Sequence, residues 1–476
     1  MMNPASLLDH ETTTSSQERQ AYSQAMLRIL SVSGVQFVRM HALDLYNTPR
    51  VKALPLSHLQ RLQSVDKHVA SAKIVFGGLP TTADVMVAGS GLDAQDTVIF
   101  HPDLSTLRIL PYSPKSALVL GTLHDQATGL LSDLCTRGLL QQIAQTALTQ
   151  HNIRFNVGAE LEFMLYDAET NQPADQVVYA HSHTLNRQEE FLTDVHQQLQ
   201  QQDIHVELIH AESAPGQLEL VLQYQEDPVQ MADHILLARE TIAAVAHRHG
   251  SKAVFLPKTN AMAAGNGCHL HLSFSDATTG QNLFSSSNSN RNNRHRQSFL
   301  LGSTSADISA QGRSFLEGIL QHLPALMALT VPTANSFRRI GPGCWTGHQQ
   351  GWAFDDKESP LRVVANLHSC AWEHVELKLM DHTANPYLAL AGVLSAGLWG
   401  MEQELTLRPS RHEETGNHEP LPGTLADSLD CLEQDELLMK QVLPKTMSQA
   451  YLAIRRSELA AELTLEEEVE QALKRA

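Results

Sequence analysis

The chain has 476 residues, a length that favours two domains over one simple core. Its 34 basic and 52 acidic residues give a net charge of −18, which argues against nucleic acid and anionic membranes as partners. The five cysteines have no CxxC spacing, and the polar N-terminus lacks a signal-peptide pattern. We therefore expect a cytoplasmic protein with no membrane span.

Composition along the chain predicts four regions. We expect a disordered N-terminus over residues 1–18, because this stretch is polar and rich in Ser and Thr. Short strand patterns then predict a small domain over 19–113, followed by a larger domain over 116–476. Within the larger domain, residues 275–312 are rich in Ser, Asn and Arg, which indicates a flexible insertion.

Three polar residues of the larger domain mark predicted helix starts. Asp227-Pro228 and Asn385-Pro386 each place a capping side chain before a proline at the first helical position. Ser132 is the predicted N-cap of an earlier helix.

Pairs of chemically active side chains recur two residues apart with a leucine between them. On a strand, this spacing puts both members of a pair on one face. Two further acids flank a Pro-Gly turn between alternating stretches, which by itself also fits a surface hairpin with solvated carboxylates. The pairs are Glu160-Leu-Glu162, His269-Leu-His271 and Glu376-Leu-Lys378, and the flanking acids are Glu212 and Glu219.

Like charges on one strand face are costly unless a cation lies between them. The five glutamates and His269 therefore favour a site for two hard divalent metals, Mg²⁺ or Mn²⁺. The alternatives are a set of structural ion pairs and a core histidine with satisfied hydrogen bonds. Zinc is disfavoured, because the set is rich in carboxylates and no cysteine joins it by spacing.

Seven segments of this chain, in order, resemble motifs of the glutamine synthetase family. The resemblance covers about residues 35–400 and implies an α+β fold, with a small N-terminal β-grasp domain before a larger catalytic domain whose curved antiparallel sheet carries the metal site. It also implies ATP, two metal ions per site, a small-molecule acid and amine as substrates, and a homo-oligomer of 12 subunits. The segments are Glu160-Leu-Glu162-Phe163, Glu212–Glu219, Phe255-Leu-Pro-Lys258, Gly265–Ser273, Asn335-Ser-Phe-Arg-Arg339, Glu376 and Asn385-Pro-Tyr-Leu388.

The resemblance also implies roles for individual residues. One metal would be held by Glu162, Glu212 and Glu219, and the other by Glu160, His269 and Glu376. The nucleotide would be contacted by Glu207, His271, Ser273 and Arg362. The catalytic residues would be Arg339, Lys357 and Arg362, and the substrates would be contacted by Gly265, Arg339, Trp345 and Lys378.

Departures from the family pattern concern the acid and the amine. Lys357 and Lys378 stand where the family has arginines, so the charge is kept and the planar fork is lost. Trp345 stands in place of the flap glutamate that deprotonates ammonia, and Gly77 in place of an acid that helps to bind ammonium. The half of the site that handles ammonia is therefore changed, whereas the half that handles ATP is kept.

The sequence predicts an ATP-dependent ligase that joins a carboxylate, the γ-carboxylate of glutamate, to an amine through an acyl phosphate. An aromatic flap favours substituted amines over ammonia, as in the γ-glutamylamide and γ-glutamylpolyamine synthetases that the chain resembles. The alternatives are a glutamine synthetase that uses ammonia, a non-catalytic regulatory homologue, and a phosphoguanidine kinase relative.

Overall fold

The structure, a computed structural model, describes residues 16–64, 68–80, 85–286, 304–366, 371–413 and 419–476. Most of the predicted disordered N-terminus and the middle of the predicted insertion, residues 287–303, lie outside the described residues. The strand Cys268–Asp276 and the helix Ala310–Thr330 take up the two ends of the insertion segment.

Fourteen strands are found in the described residues, and they form two sheets. They are β1 (Phe37–Leu43), β2 (Pro49–Pro55), β3 (Val69–Ala72), β4 (Thr97–Pro102), β5 (Arg108–Ile109), β6 (Ser116–Asp125), β7 (Ile153–Asp167), β8 (Val206–Ala211), β9 (Gln217–Gln225), β10 (Ser251–Val254), β11 (Cys268–Asp276), β12 (Trp352–Phe354), β13 (Leu361–Asn366) and β14 (Ala371–Leu377).

The helices lie mainly between and after the strands of the larger sheet. Those in the described ranges are α1 (Ser16–Val32), α2 (Leu56–Ser64), α3 (Thr136–His151), α4 (Ser182–Arg187), α5 (Glu189–Gln200), α6 (Pro228–Arg248), α7 (Ala310–Thr330), α8 (Ala334–Phe337), α9 (Pro386–Glu402), α10 (Leu425–Gln434), α11 (Lys445–Leu459) and α12 (Leu465–Arg475). Each described helix is too short or too polar to span a lipid bilayer.

The smaller sheet comes first in the chain and has the order β2-β1-β6-β4-β3, with β5 paired to β6. Only the β1–β6 pair in it is parallel. The larger sheet has the order β12-β13-β14-β11-β7-β9-β8, with β10 paired to β7, and is antiparallel except at β12–β13. The predicted α+β fold, with a small sheet domain before a larger antiparallel one, is confirmed.

Two of the three predicted helix starts are confirmed. Asp227 caps α6 by accepting a hydrogen bond from the Val229 N–H, and Asn385 caps α9 through two N–H groups. The third prediction was wrong: α3 begins at Thr136, and the Sγ of Cys135 accepts from the Gly138 N–H. The peptide C=O of Ser132 instead accepts a bond from the Cys135 N–H, which closes a turn before the helix.

A buried arginine joins the smaller sheet to the helices of the larger domain. Arg137, in the first turn of α3, lies 2.7 Å from an oxygen of Asp103 and 2.9 Å from Asp233 on α6. The Tyr387 hydroxyl donates to the same Asp233 carboxylate at 2.5 Å. Because the planar guanidinium bonds both carboxylates at once, it fixes three elements relative to one another.

A second set of contacts ties the turn after β1 to the larger domain. The Asn47 side chain donates to the backbone C=O of His382 at 2.7 Å, and the Asn385 side chain donates to that of Asp44 at 2.7 Å. The Tyr46 hydroxyl donates to the C=O of Ala450 on α11. These buried bonds hold the smaller domain against the larger one.

Candidate functional site

The predicted acids and imidazoles lie on the central strands of the larger sheet. β7 lies between β9 and β11, so Glu160 faces His269 across one strand pair and Glu162 faces Glu219 across the other. The turn between β8 and β9 makes this register possible, because Gly216 has φ of +72° and a Cβ there would meet the Leu165 C=O at 2.6 Å. Glu219 is only 7% exposed, so the surface-hairpin alternative was wrong.

One group of four side chains, the Glu160 cluster, consists of Glu160, His269, His271 and Glu376. The Nδ1 of His269 lies 3.2 Å from Glu160 and 3.3 Å from Glu376. The Nε2 of His271 lies 3.0 Å from the other oxygen of Glu160. The cluster thus links β7, β11 and β14 through two imidazoles and two carboxylates.

A second group, the Glu219 cluster, consists of Glu162, His210, Glu212 and Glu219. The Nε2 of His210 lies 3.0 Å from Glu219, and its Nδ1 lies 3.7 Å from Glu212. Glu162 accepts a bond from the Gly267 N–H at 2.9 Å. The two clusters adjoin, since the Nε2 of His269 is 3.7 Å from Glu162.

The carboxylates of the Glu219 cluster repel one another. Burial, and next to it the charge of Glu219, raise the pKa of Glu162 to about 8. Burial also raises the pKa of Glu219. The hydrogen bond to Glu219 raises the pKa of His210 to about 9. Because these acids lie so close together, a cation bound between them would stabilise their charged forms.

In the Glu160 cluster the charges are balanced by neighbouring bases. Burial alone would raise the pKa of Glu376, but Lys378, His269, His271 and Arg362 together outweigh it and hold the pKa at about 2. Burial and the same Lys378 lower the pKa of His269 to about 4. The imidazole of His269 is therefore neutral at pH 7 and keeps a lone pair for a ligand.

The donor set of both clusters fits hard divalent cations, which prefer carboxylate oxygens. In the described part of the chain, two triads have ligand atoms that all lie within 4.8 Å of one another: Glu160, His271 and Glu376, and His210, Glu212 and Glu219. The first triad differs from the predicted metal-binding set in having His271 in place of His269. The second differs in having His210 in place of Glu162. All eight side chains nevertheless belong to one contiguous site.

Three contributors to the site were missed by the sequence argument. His210 joins two acids of the Glu219 cluster, and His374 lies 3.0 Å from the Nδ1 of His271. The side chain of Gln217 donates to Glu162 at 3.1 Å and thereby orients it. His210 and Gln217 stand on the same alternating face as the predicted acids, so their position in the strand pattern was the available signal.

The four residues predicted to contact the nucleotide line one cleft of about 670 Å³ beside the Glu160 cluster. Tyr224, His374 and Asn282 line it as well. Its walls offer an aromatic ring, imidazoles and a guanidinium, which suit a base and its phosphates. The predicted residues in it are Glu207, His271, Ser273 and Arg362.

Two predicted substrate residues are engaged within the protein. The Nη2 of Arg339, which is 3% exposed, donates to the backbone C=O of Lys378 and of Met380. The Nζ of Lys378 lies 3.0 Å from Glu376. Gly265 packs on this arginine, because a Cβ at Gly265 would lie 2.7 Å from the Arg339 Cβ. The three residues therefore adjoin the Glu160 cluster.

Trp345 lies on an exposed loop, and the residue is 61% exposed. The Nζ of Lys357 is 5.5 Å from the indole centroid. Lys357 adjoins the Asp355 carboxylate that bonds Arg362 at 3.3 Å, and Arg362 contacts Glu376. A chain of charged contacts thus connects the loop to the Glu160 cluster.

Gly77 lies apart from these groups within the described chain. A Cβ at this position would meet Leu92 and Leu134 at 3.1–3.2 Å. An acid at Gly77 would therefore lie against apolar side chains of its own chain.

A family model described as the glutamine synthetase catalytic domain matches residues 133–472. Among curated relatives, the gamma-glutamylpolyamine synthetase of Streptomyces coelicolor is 30% identical over 90% of this chain and 91% of its own length. The glutamine synthetase of Methanocaldococcus jannaschii is 29% identical over 90% and 92%. The gamma-glutamylanilide synthase of an Acinetobacter species is 28% identical over 94% and 92%.

A solved structure titled as that of a novel glutamine synthase homologue superposes with a TM-score of 0.78 at 27% identity, covering 92% of this chain and 98% of the other. The similarity therefore extends over both sheets and nearly the whole described chain.

Proposed function

Since the chain belongs to the glutamine synthetase family and is an ATP-dependent carboxylate–amine ligase, we propose that it joins the γ-carboxylate of glutamate to a substituted amine in preference to ammonia. The observation that carries this proposal is the exposed indole of Trp345. The carboxylate beside it, Glu358, accepts hydrogen bonds from the N–H groups of Gly343 and of Trp345 itself. The loop therefore offers apolar surface and no unengaged acid to take a proton from ammonium.

We assign one divalent cation to Glu162, Glu212 and Glu219, and a second to Glu160, His269 and Glu376, with His210 and His271 as additional donors. Bound Mg²⁺ or Mn²⁺ would offset the negative charge of the ATP phosphates. The acids of the Glu219 cluster support this assignment, because burial and mutual repulsion raise the pKa values of Glu162 and Glu219 in the absence of a cation.

ATP is proposed to lie in the cleft next to the Glu160 cluster. The guanidinium of Arg362 lines this cleft and would hold a phosphate, with Lys357 as a second cation nearby. A γ-carboxylate oxygen attacks the γ-phosphorus and ADP leaves. The amine nitrogen then attacks the acyl carbon, phosphate departs with the electrons of the C–O bond, and the nitrogen loses a proton. The acceleration of these steps depends mainly on how the protein positions the reactants.

The acid substrate is assigned to Arg339, Lys378 and the backbone at Gly265. Both cations are buried, at 3% and 5% exposure, so a carboxylate beside them would be bound away from water. The Nε of Arg339 makes no hydrogen bond within the described residues. The Nε lies 3.9 Å from the buried Asp381 carboxylate, and a substrate carboxylate would approach the same guanidinium without breaking the two bonds that the Nη2 makes.

A screen of phosphate release tests the proposed amine preference. With glutamate and MgATP, substituted amines are expected to exceed ammonia by at least about tenfold in kcat/KM, equivalent to ~1.4 kcal/mol. Contact between the indole and the carbon groups of a substituted amine stabilises binding by about 25 cal/mol per Å² of apolar surface buried. A hydrated ammonium ion makes no such contact and would have to lose its water. Trp345→Glu is expected to shift the preference back toward ammonia.

The same screen separates the alternatives. If wild-type protein uses ammonia as well as every amine offered, it is a glutamine synthetase. If it binds ATP and turns over no pair of acid and amine, it is a regulatory homologue. Phosphate transfer to a guanidino acid without amide formation would identify a kinase. Trp399→Phe is a suitable control, since Trp399 packs edge-to-face against His322 outside the site.

We also propose that the chain works as a homo-oligomer, as expected from the family. Light scattering of the purified protein is expected to give a mass several times the 52.5 kDa of one chain. Dilution to the monomer should abolish activity, because the first domain of one subunit would complete the active site of its neighbour. A fully active monomer would contradict this proposal.

A further inference from the structure

The loop 341–347, which we name the Trp345 loop, is clamped by a single carboxylate. The two oxygens of Glu358 accept bonds from the N–H groups of Gly343 at 3.2 Å and Trp345 at 2.8 Å. Trp345 has φ of +61°, a left-handed conformation that a bulky side chain rarely adopts. Such a conformation persists only where its surroundings enforce it, and the paired bonds to Glu358 do so here.

The clamp sets where the indole and its neighbour lie. Lys357 directly precedes Glu358, and its ammonium lies 5.5 Å from the ring centroid of Trp345. A cation over the face of an indole is attracted by the negative face of the ring. The most favourable place for a positive group on this loop is therefore already taken by a group of the protein.

The remaining charges of the segment 355–358 leave no acid for a cationic ligand. Asp355 is bonded to Arg362 at 3.3 Å. Asp356 is bonded to Arg411 at 3.4 Å and to His412 at 2.9 Å. Since the Glu358 carboxylate serves the loop backbone, each of the three acids is engaged. A positively charged amine at Trp345 would meet the Lys357 charge and find no further carboxylate of this segment to bind it.

We propose that Lys357, held over Trp345 by Glu358, makes the amine site select amines that are uncharged at neutral pH, such as aryl amines, over cationic polyamines. Glu358 is in this view a positioning residue for amine choice. The inference rests on the proposed function, because it takes Trp345 to line the amine site. An aryl amine keeps its apolar ring against the exposed part of the indole and brings no charge to Lys357.

Two unreactive probes of one shape test the role of charge. Phenyltrimethylammonium and its uncharged isostere tert-butylbenzene are titrated by NMR into the full-length protein with MgADP and glutamate. The uncharged probe is expected to bind at least about tenfold more tightly, a ratio equivalent to ~1.4 kcal/mol. Trp345→Ala should weaken both probes, which locates them on the indole. Equal or tighter binding of the cation to wild-type protein would overturn the proposal.

Variants of the clamp give the sharper comparison. Lys357→Met should reverse the ratio of the two affinities, so that the cationic probe binds more tightly, because the indole face becomes free. Lys440→Met on the surface should leave this ratio unchanged. Glu358→Ala should bring the ratio close to one, and Glu358→Gln, which keeps one acceptor oxygen, should restore part of it. An unchanged ratio in Lys357→Met overturns the inference. Failure of the proposed function would be seen separately in the amine screen, where ammonia would then serve as well as every substituted amine.

Discussion

Replacing Asp233 by Ala is expected to lower the free energy of unfolding by about 3–5 kcal/mol, the usual result of removing one partner of a buried ion pair. Asp233 is 4% exposed and makes two bonds to Arg137 at 2.9–3.0 Å. Its loss also leaves the Tyr387 hydroxyl without the acceptor that it now has at 2.5 Å. The Arg137 charge would remain buried with Asp103 as its one acidic partner.

Urea unfolding followed by circular dichroism measures this loss. The matched control is Glu433→Ala, which breaks an ion pair with Arg456 at 2.7 Å between side chains that are 51% and 42% exposed. Exposed pairs of this kind contribute about 0–1 kcal/mol. A loss below about 1 kcal/mol for the Asp233 variant would show that Arg137 finds another partner when Asp233 is removed.

Replacing Glu219 by Gln is expected to lower ATP-dependent phosphate release about 100-fold or more, the scale found when a group that stabilises developing charge is removed. The side chain keeps its size and loses its charge. In the absence of metal, however, the variant should be at least as stable as wild type. Burial and, next to it, the charge of Glu219 raise the pKa of Glu162 to about 8, and the substitution removes that charge.

Thermal unfolding with and without Mg²⁺ gives a readout that does not depend on turnover. Wild-type protein should gain stability with Mg²⁺ by mass action, and the Glu219 variant should lose most of that gain. Glu402→Gln is the control, since this acid lies 3.1 Å from His151 on the surface of the larger domain. Wild-type activity and an undiminished Mg²⁺ effect in the Glu219 variant would refute the metal assignment.

The parts of the site that could be predicted from the sequence are those set by strand alternation. The two-residue spacing of Glu160 and Glu162 predicted a shared face, and the register opposite His269 and Glu219 confirms it. Alternation works here because a strand side chain has only two faces to choose from, and the leucines between the acids fix which one is buried.

The parts that could not be predicted depend on loops and on partners distant in the chain. The two backbone acceptors of Arg339 lie on the segment after β14, whose path no local pattern dictates. The pairing of Arg137 with Asp233 joins two helices through side chains that would be equally ordinary on a surface. The wrong cap at Ser132 has a local cause, since its hydroxyl accepts from the Leu134 N–H in a turn before the helix.

The order of strands in the larger sheet has a consequence for the nascent chain. β7 is synthesised well before β11, and β14 leaves the ribosome later still, yet the three are neighbours in the sheet. Until β11 has emerged, the carboxylate of Glu160 lacks its partners His269 and His271, and until β14 follows, His269 lacks its contact with Glu376. Strand pairing over such separations is slow, and unpaired edges invite association. We therefore expect the larger domain to acquire its structure only after translation is nearly complete, so that cellular chaperones meet it with its sheet still open.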